Sequence, residues 1–206
     1  VPVEQIAASA HEPELIRWWR NYLNLPPRDL PRGLRRAEMM LTAPLDAYRI
    51  AAKYDLLALE SGRRAVIVDW KTERKRPTRA QLAARMQTRV YRYVLVEAGT
   101  ALNGGRPIGP EQVTLVYWFA EFPAEPEVLP YDVAQYTDDA SYLMGLVREI
   151  TERADVEWPK TNDPTRCRLC TYRSLCERGV AAGTDDESEI EPDLDIELAQ
   201  IEEIAY

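Results

Sequence analysis

Only one histidine and three cysteines occur among the 206 residues, and no apolar stretch approaches the roughly 18 residues that a membrane span requires. A transmembrane helix is therefore not expected. Val1–Ala10 lacks the basic start and apolar run of a secretory signal, so a cytoplasmic protein is expected. The chain starts at Val1 without an initiator Met, which suggests a segment of something longer. No glycine-rich phosphate cradle is present either: Gly104-Gly105 is isolated within Asn103–Pro110, a Gly- and Pro-rich stretch that reads as a loop. The cysteines, Cys167, Cys170 and Cys176, are odd in number and clustered, which argues against disulfides and for metal or iron–sulfur ligation. Basic residues are absent from Gly179 to Tyr206, where ten Asp and Glu residues accumulate.

What is there is a chain with 46% apolar and 29% charged residues, enough for a folded core. The net charge of 26 − 34 = −8 argues against a nucleic-acid partner only as an average. Removing the acidic tail leaves 26 − 24 = +2 over residues 1–178, and Arg63–Arg92 alone carries ten basic residues against Asp69 and Glu73. Such a run is either a solvated helix face or a phosphate-binding surface. In the tail, Ile190, Leu194, Leu198, Ile201 and Ile204 recur at helical spacing, so it reads as a solvated extension or a partly docked one. We expect a domain over 1–178, including the cysteine loop 167–176, and an acidic tail over 179–206.

Hydrophobic periodicity predicts a helix over His11–Leu25, with Leu15, Trp18, Trp19, Tyr22 and Leu23 on one stripe, ended by Pro26-Pro27. The Trp residues at this spacing read as core rather than as base-stacking surface. Strands are expected over Arg35–Thr42, Asp46–Leu59 and Arg64–Thr72, the last two joined at Ser61-Gly62. Thr78 reads as the N-cap of one long helix to about Ala98, with Leu82, Met86, Val90, Tyr93 and Val94 toward the sheet. A strand over Glu111–Ala120, a short one at Tyr131–Ala134 and a helix over Tyr136–Ala154 complete an α/β arrangement with a mixed sheet.

Alternation along a strand places Asp69 and Lys71 on one face and Val68 and Trp70 on the other. With a turn about Gly62, positions summing to about 124 face each other, bringing Asp55 opposite Asp69 within one residue of register. Opposed carboxylates repel, by up to about 1 kcal/mol, and an ionised carboxylate ending a buried run such as Ala65–Val68 is costly unless paired. A cation between them resolves both problems, and hard oxygen ligands suit Mg²⁺ or Mn²⁺. One helical turn apart, Gln87 and Tyr91 share a face beside Arg85, Arg89 and Arg92.

Asp55, Asp69-Trp70-Lys71-Thr72 and Gln87-Thr88-Arg89-Val90-Tyr91 together resemble the PD-(D/E)XK nuclease superfamily, in particular its RecB-like branch with a Gln-x-x-x-Tyr helix. The resemblance covers about residues 35–179. It implies a restriction-endonuclease-like core, a mixed β-sheet flanked by helices, in which Asp55, Asp69 and the Trp70 carbonyl bind the metal and Glu38 adds an acidic group. It further implies that Lys71 positions the attacking water, and that Gln87 and Tyr91 orient the substrate strand. Trp158-Pro159-Lys160 followed by Cys167, Cys170 and Cys176 is similar to the C-terminal segment of iron–sulfur members, which hold a 4Fe-4S cluster with a fourth, upstream cysteine. That cysteine is absent here, as is the upstream metal-proximal His of the family; His11 sits in no such motif and reads as a helix-surface residue. The implied activity is metal-dependent cleavage of DNA phosphodiesters in repair, recombination or adaptation, on single strands or free ends, with a helicase as a candidate partner. The competing expectations are a noncatalytic nucleic-acid-binding module of a helicase–nuclease complex and a zinc-binding interaction protein.

Overall fold

Pro13, at the position where a missing N–H costs nothing, opens helix α1 (Pro13–Asn24) in a computed structural model that describes residues 12–153, 159–163, 167, 170 and 172–178. His11, Trp158 and the acidic tail lie outside the described residues. Strands β1 (Leu34–Leu45), β2 (Tyr48–Glu60) and β3 (Arg64–Lys71) form an antiparallel meander. Asp46, with φ 57°, occupies the β1–β2 turn and does not begin the strand as expected. The β2–β3 turn uses Gly62 at φ 74°, a conformation that L side chains rarely adopt. Its ladder runs from Glu60↔Arg64 to Leu56↔Val68, so paired positions sum to 124.

After β3 the chain crosses over through α2 (Arg79–Ala84) and α3 (Met86–Ala98) to β4 (Val113–Phe119), which lies parallel to β3. Strand β5 (Glu127–Pro130) pairs antiparallel with β4 and leads into α4 (Val133–Glu152). The sheet order is β1-β2-β3-β4-β5. Helices lie on both faces of this mixed sheet, the α/β core expected from the sequence. Alternate β3 residues divide between the two layers: Ala65 and Ile67 join Leu95, Leu115, Tyr117 and Phe119, whereas Val66 and Val68 join Val116 and Trp118 beneath Trp18 and Tyr22 of α1. Burial on both sides explains the unbroken Ala65–Val68 apolar run.

Three expectations are corrected. The helix expected from Thr78 to Ala98 is two helices, because Arg85 is extended (φ −62°, ψ 140°), and the Leu82 carbonyl that a continuous helix would use accepts instead from Arg85 N (3.2 Å) and Thr88 Oγ1 (2.6 Å). Thr78 does cap the first piece, in a reciprocal box with Gln81. Met86, freed by the break, is exposed rather than turned to the sheet. The short strand falls at Glu127–Pro130, one step before Tyr131–Ala134, and the last helix begins at Val133. On α1 only Trp18 and Tyr22 of the expected stripe pack into the second core, while Leu15 and Leu23 are exposed.

Candidate active site

The β2–β3 ladder stops one step short of the carboxylates. Beyond Leu56↔Val68 the two strands part, and Asp55 uses its Oδ2 to accept the Trp70 backbone N–H at 2.8 Å. A local irregularity accompanies the parting. Core-facing residues of β2 are Ile50, Ala52 and Tyr54 before Asp55 but Leu57 and Leu59 after it, and on β1 Glu38, whose place faces Asp55, takes φ 52°. The switch lets Tyr54 stay in the core while Asp55 reaches the open end of the strand pair.

Asp69 and Lys71 are 2% and 7% exposed, at the C-terminal end of a central strand. Lys71 Nζ stands 2.9 Å from Asp69 Oδ2 and donates to Gln87 Oε1 at 2.8 Å. The Gln87 amide turns its other edge to Asp69 Oδ1 at 3.0 Å and donates to the Tyr91 hydroxyl at 3.1 Å. Thus Gln87 holds the acid and the base at once. The Tyr117 ring lies beneath Lys71, with Nζ 5.3 Å from its centroid. Tyr91 is 2% exposed and packs edge-on against Tyr54, whose hydroxyl donates to the Tyr91 carbonyl. Buried in this way, Tyr91 offers no surface to a substrate strand; it supports Gln87. Trp70 turns its side chain to the opposite face, against Tyr22 and Trp118. Glu38 is mostly exposed and pairs with Lys53 at 3.0 Å, near enough to Asp55 for its charge to register there.

Electrostatics at the two acids follow from burial. The Asp69 carboxyl is pushed up to about 7, chiefly by desolvation and by the Asp55 charge, with the Lys71 ammonium opposing. Asp55 is raised mainly by burial, and the Trp70 N–H works against that rise. The Tyr91 hydroxyl is raised by burial and by the neighbouring Asp69 charge. Asp69 Oδ2 has no hydrogen-bond partner among the described residues, although it touches Lys71 Nζ as an ion pair. A buried carboxylate raised by the charge of a second carboxylate and paired with one ammonium is an electrostatic setting that a divalent cation relieves. Among the described residues no group of three or more His, Cys, Asp or Glu side chains is gathered to hold a metal. Two carboxylates nonetheless fit Mg²⁺, which keeps waters and takes substrate phosphates to complete its shell.

The cysteines are half-buried and unpaired. Cys176 ends a short 3₁₀ turn, Ser174–Cys176, and Arg178 Nη1 approaches Cys167 Sγ at 3.1 Å. Three thiolates fall one short of the four usual for a 4Fe-4S cluster, and the described residues assemble no such centre.

Sequence reasoning gave no site role to Tyr54, Tyr117, Glu73 or Asp139. Asp139, buried at 2% exposure, accepts from Arg89 (2.6 Å), Arg92 (3.2 Å) and the Tyr131 hydroxyl (3.0 Å). The basic stretch is correspondingly far from free: Arg63, Lys71, Arg74, Arg76, Arg79, Arg85, Arg89 and Arg92, eight of its ten cations, are in ion pairs, several with Glu14, Glu60, Glu127 and Asp139 from outside the stretch.

A mixed sheet ends in an acid pair, with a lysine on the same strand end and a glutamine from the crossover helix. A family model for the PD-(D/E)XK nuclease superfamily matches residues 5–177, and the chain belongs to that superfamily. Its members are generally nucleases that typically use Mg²⁺ or Mn²⁺. No curated protein matches. Among the solved structures, the chain is similar to the protein described as "Crystal structure of SSO0001", at 14% identity and a TM-score of 0.43 over 71% of this chain. The match spans 62% of that solved chain. No helix among the described residues is long and apolar enough to cross a membrane.

Proposed function

We propose that the chain is a metal-dependent DNA nuclease of the RecB-like branch, with residues 1–178 as the nuclease domain and 179–206 as an acidic extension. The observation that carries this reading is the Asp69–Lys71–Gln87 constellation, with Asp55 fixed on the Trp70 amide and its charge acting on the buried Asp69. Asp55, Asp69 and the Trp70 carbonyl would hold Mg²⁺ or Mn²⁺, with Glu38 contributing charge from the rim. The ion supplies an activated water and charge neutralisation at the leaving oxygen. Lys71 places a positive charge next to the phosphorus as negative charge builds there. Gln87, braced by Tyr91, fixes the distance between Lys71 and Asp69, so the ammonium is oriented before substrate arrives. Single strands or free ends are the proposed substrates, by resemblance.

The spacing of Cys167, Cys170 and Cys176 supports a cluster-type ligand loop that would tie the C-terminal segment to upstream residues, with a fourth ligand from outside this chain. No step of the reaction uses it. A pathway in repair, recombination or adaptation, beside a helicase, belongs to the same reading.

A labelled oligonucleotide incubated with Mg²⁺, Mn²⁺ or EDTA tests the proposal. Cleavage with either metal and none in EDTA is expected, with Asp69→Ala and Lys71→Ala each lowering the rate by at least about 10²-fold while the fold is kept. Wild-type rates in either variant would contradict the assignment, and binding without cleavage by the native chain would favour the noncatalytic module.

A further inference from the structure

Lys71 and Gln87 form one rung of a short ladder between the end of β3 and the start of α3. The next rung outward is Glu73 with Arg85: Arg85 Nη2 donates to Glu73 Oε1 at 2.8 Å, the same distance as Lys71 to Gln87. The two pairs share a register, each summing to 158, so Arg85 stands two residues beyond Gln87 on the side away from Asp69. Its guanidinium charge is among those near enough to favour the ionised form of Asp69.

The pairing leaves most of the guanidinium unused. Of its five N–H donors, one is engaged by Glu73, and the side chain makes no other hydrogen bond among the described residues. Although only 13% of the side chain is exposed, none of its nitrogens is sealed from solvent without a partner. Arg92 provides the contrast, since it is spent on Thr88 O, Asp139 and the Tyr131 ring. On the other side of the pair Glu73 uses one oxygen, and its Oε2 is buried without a partner. A single carboxylate contact holds one nitrogen of a guanidinium and leaves its other donors to a planar or tetrahedral oxyanion. Arg85 is also where the crossover helix breaks, which turns its side chain out of the helical path.

We propose that Arg85, oriented by Glu73, binds a non-bridging phosphate oxygen of the nucleic-acid strand next to the Asp69–Lys71 centre. Glu73 is then a positioning residue. The inference rests on the nuclease reading and names which basic side chain of the paired stretch meets the substrate backbone.

Equilibrium binding of the full chain to a fluorescent single-stranded oligonucleotide in EDTA, over a salt series, tests Arg85 apart from cleavage. Arg85→Gln should weaken binding and reduce the slope of log K against log salt by about 0.7, the value for one phosphate contact on a single strand. Arg85→Lys should recover the slope, yet keep a lowered kcat with Mn²⁺, because an ammonium does not reproduce the fork. Since Arg85→Gln leaves Glu73 buried and unpaired, the double variant Glu73→Gln/Arg85→Gln serves as a second probe that removes both charges, and it should show the same loss of slope. An unchanged slope in both variants overturns the proposal while leaving the nuclease reading intact. Failure of the native chain to cleave with Mg²⁺ or Mn²⁺, with the slope loss present, overturns only the nuclease reading. Absence of any binding by the native chain overturns both.

Discussion

Asp69 sits where burial and function pull in opposite directions. Its carboxyl, held near 7 against an ordinary value of 3.8, keeps its proton in the folded chain over a range in which the unfolded chain has lost it. The sign follows from linkage: between about pH 4 and 7 the native state binds more protons, so metal-free stability falls as pH rises, by at most about 1.4 kcal/mol per pH unit from this group. Chemical denaturation in EDTA across that range should show the decline. Asp69→Asn should flatten it, whereas a variant with the native slope would place the titration elsewhere. Gln87 touches three members of the site, and Gln87→Ala should lower cleavage about 10- to 100-fold, as loss of a ligand-orienting partner does, with little change in Tm. Asp69 and Lys71 are legible in the sequence because strand alternation puts both on one face. Tyr117 under the lysine is not, since it arrives from β4, 46 positions further along the chain.

At the scale of elements, the hairpin register follows from a local cause, Gly62 at positive φ, and could therefore be read from sequence to within one residue. The break at Arg85 has a tertiary cause. Helical propensity runs on through Ala83-Ala84-Arg85-Met86, but the Thr88 hydroxyl takes the Leu82 carbonyl that a continuous helix would use, and the Arg85 side chain is drawn to Glu73. The basic stretch misleads because its partners Glu14, Glu127 and Asp139 lie 47 to 60 residues away, and no local count pairs them. Asp139 is the element-scale linchpin, joining α4 to α3 through two guanidinium groups. Asp139→Ala leaves Arg92 buried and uncompensated and should destabilise the fold by about 3–5 kcal/mol, read as a lowered Tm. A loss below about 1 kcal/mol would mean that α4 is held by its apolar contacts alone.

For the whole molecule, two sheet faces do different work. The face under α1, built from Val66, Val68, Val116 and Trp118, is dry packing with aromatic edges. The other face holds the larger core and, at its open end, the acids and the lysine. Placing the charged site where β2 and β3 part lets the strand backbone present Trp70 N–H to Asp55 without breaking the core behind it. This division was legible from the unbroken apolar run of β3 and the polar residues that end it; the face switch at Glu38 and Asp55 was not, because it depends on a left-handed backbone at a glutamate. A divalent cation bound between Asp55 and Asp69 is the core of the proposed site, and crystals soaked in Mn²⁺ and measured for anomalous scattering would reveal it. A Mn²⁺ peak bounded by the Asp55 and Asp69 carboxylates and the Trp70 carbonyl is expected. Crystals in which Mn²⁺ leaves that position empty, with Lys71 still alone on Asp69 Oδ2, would contradict it.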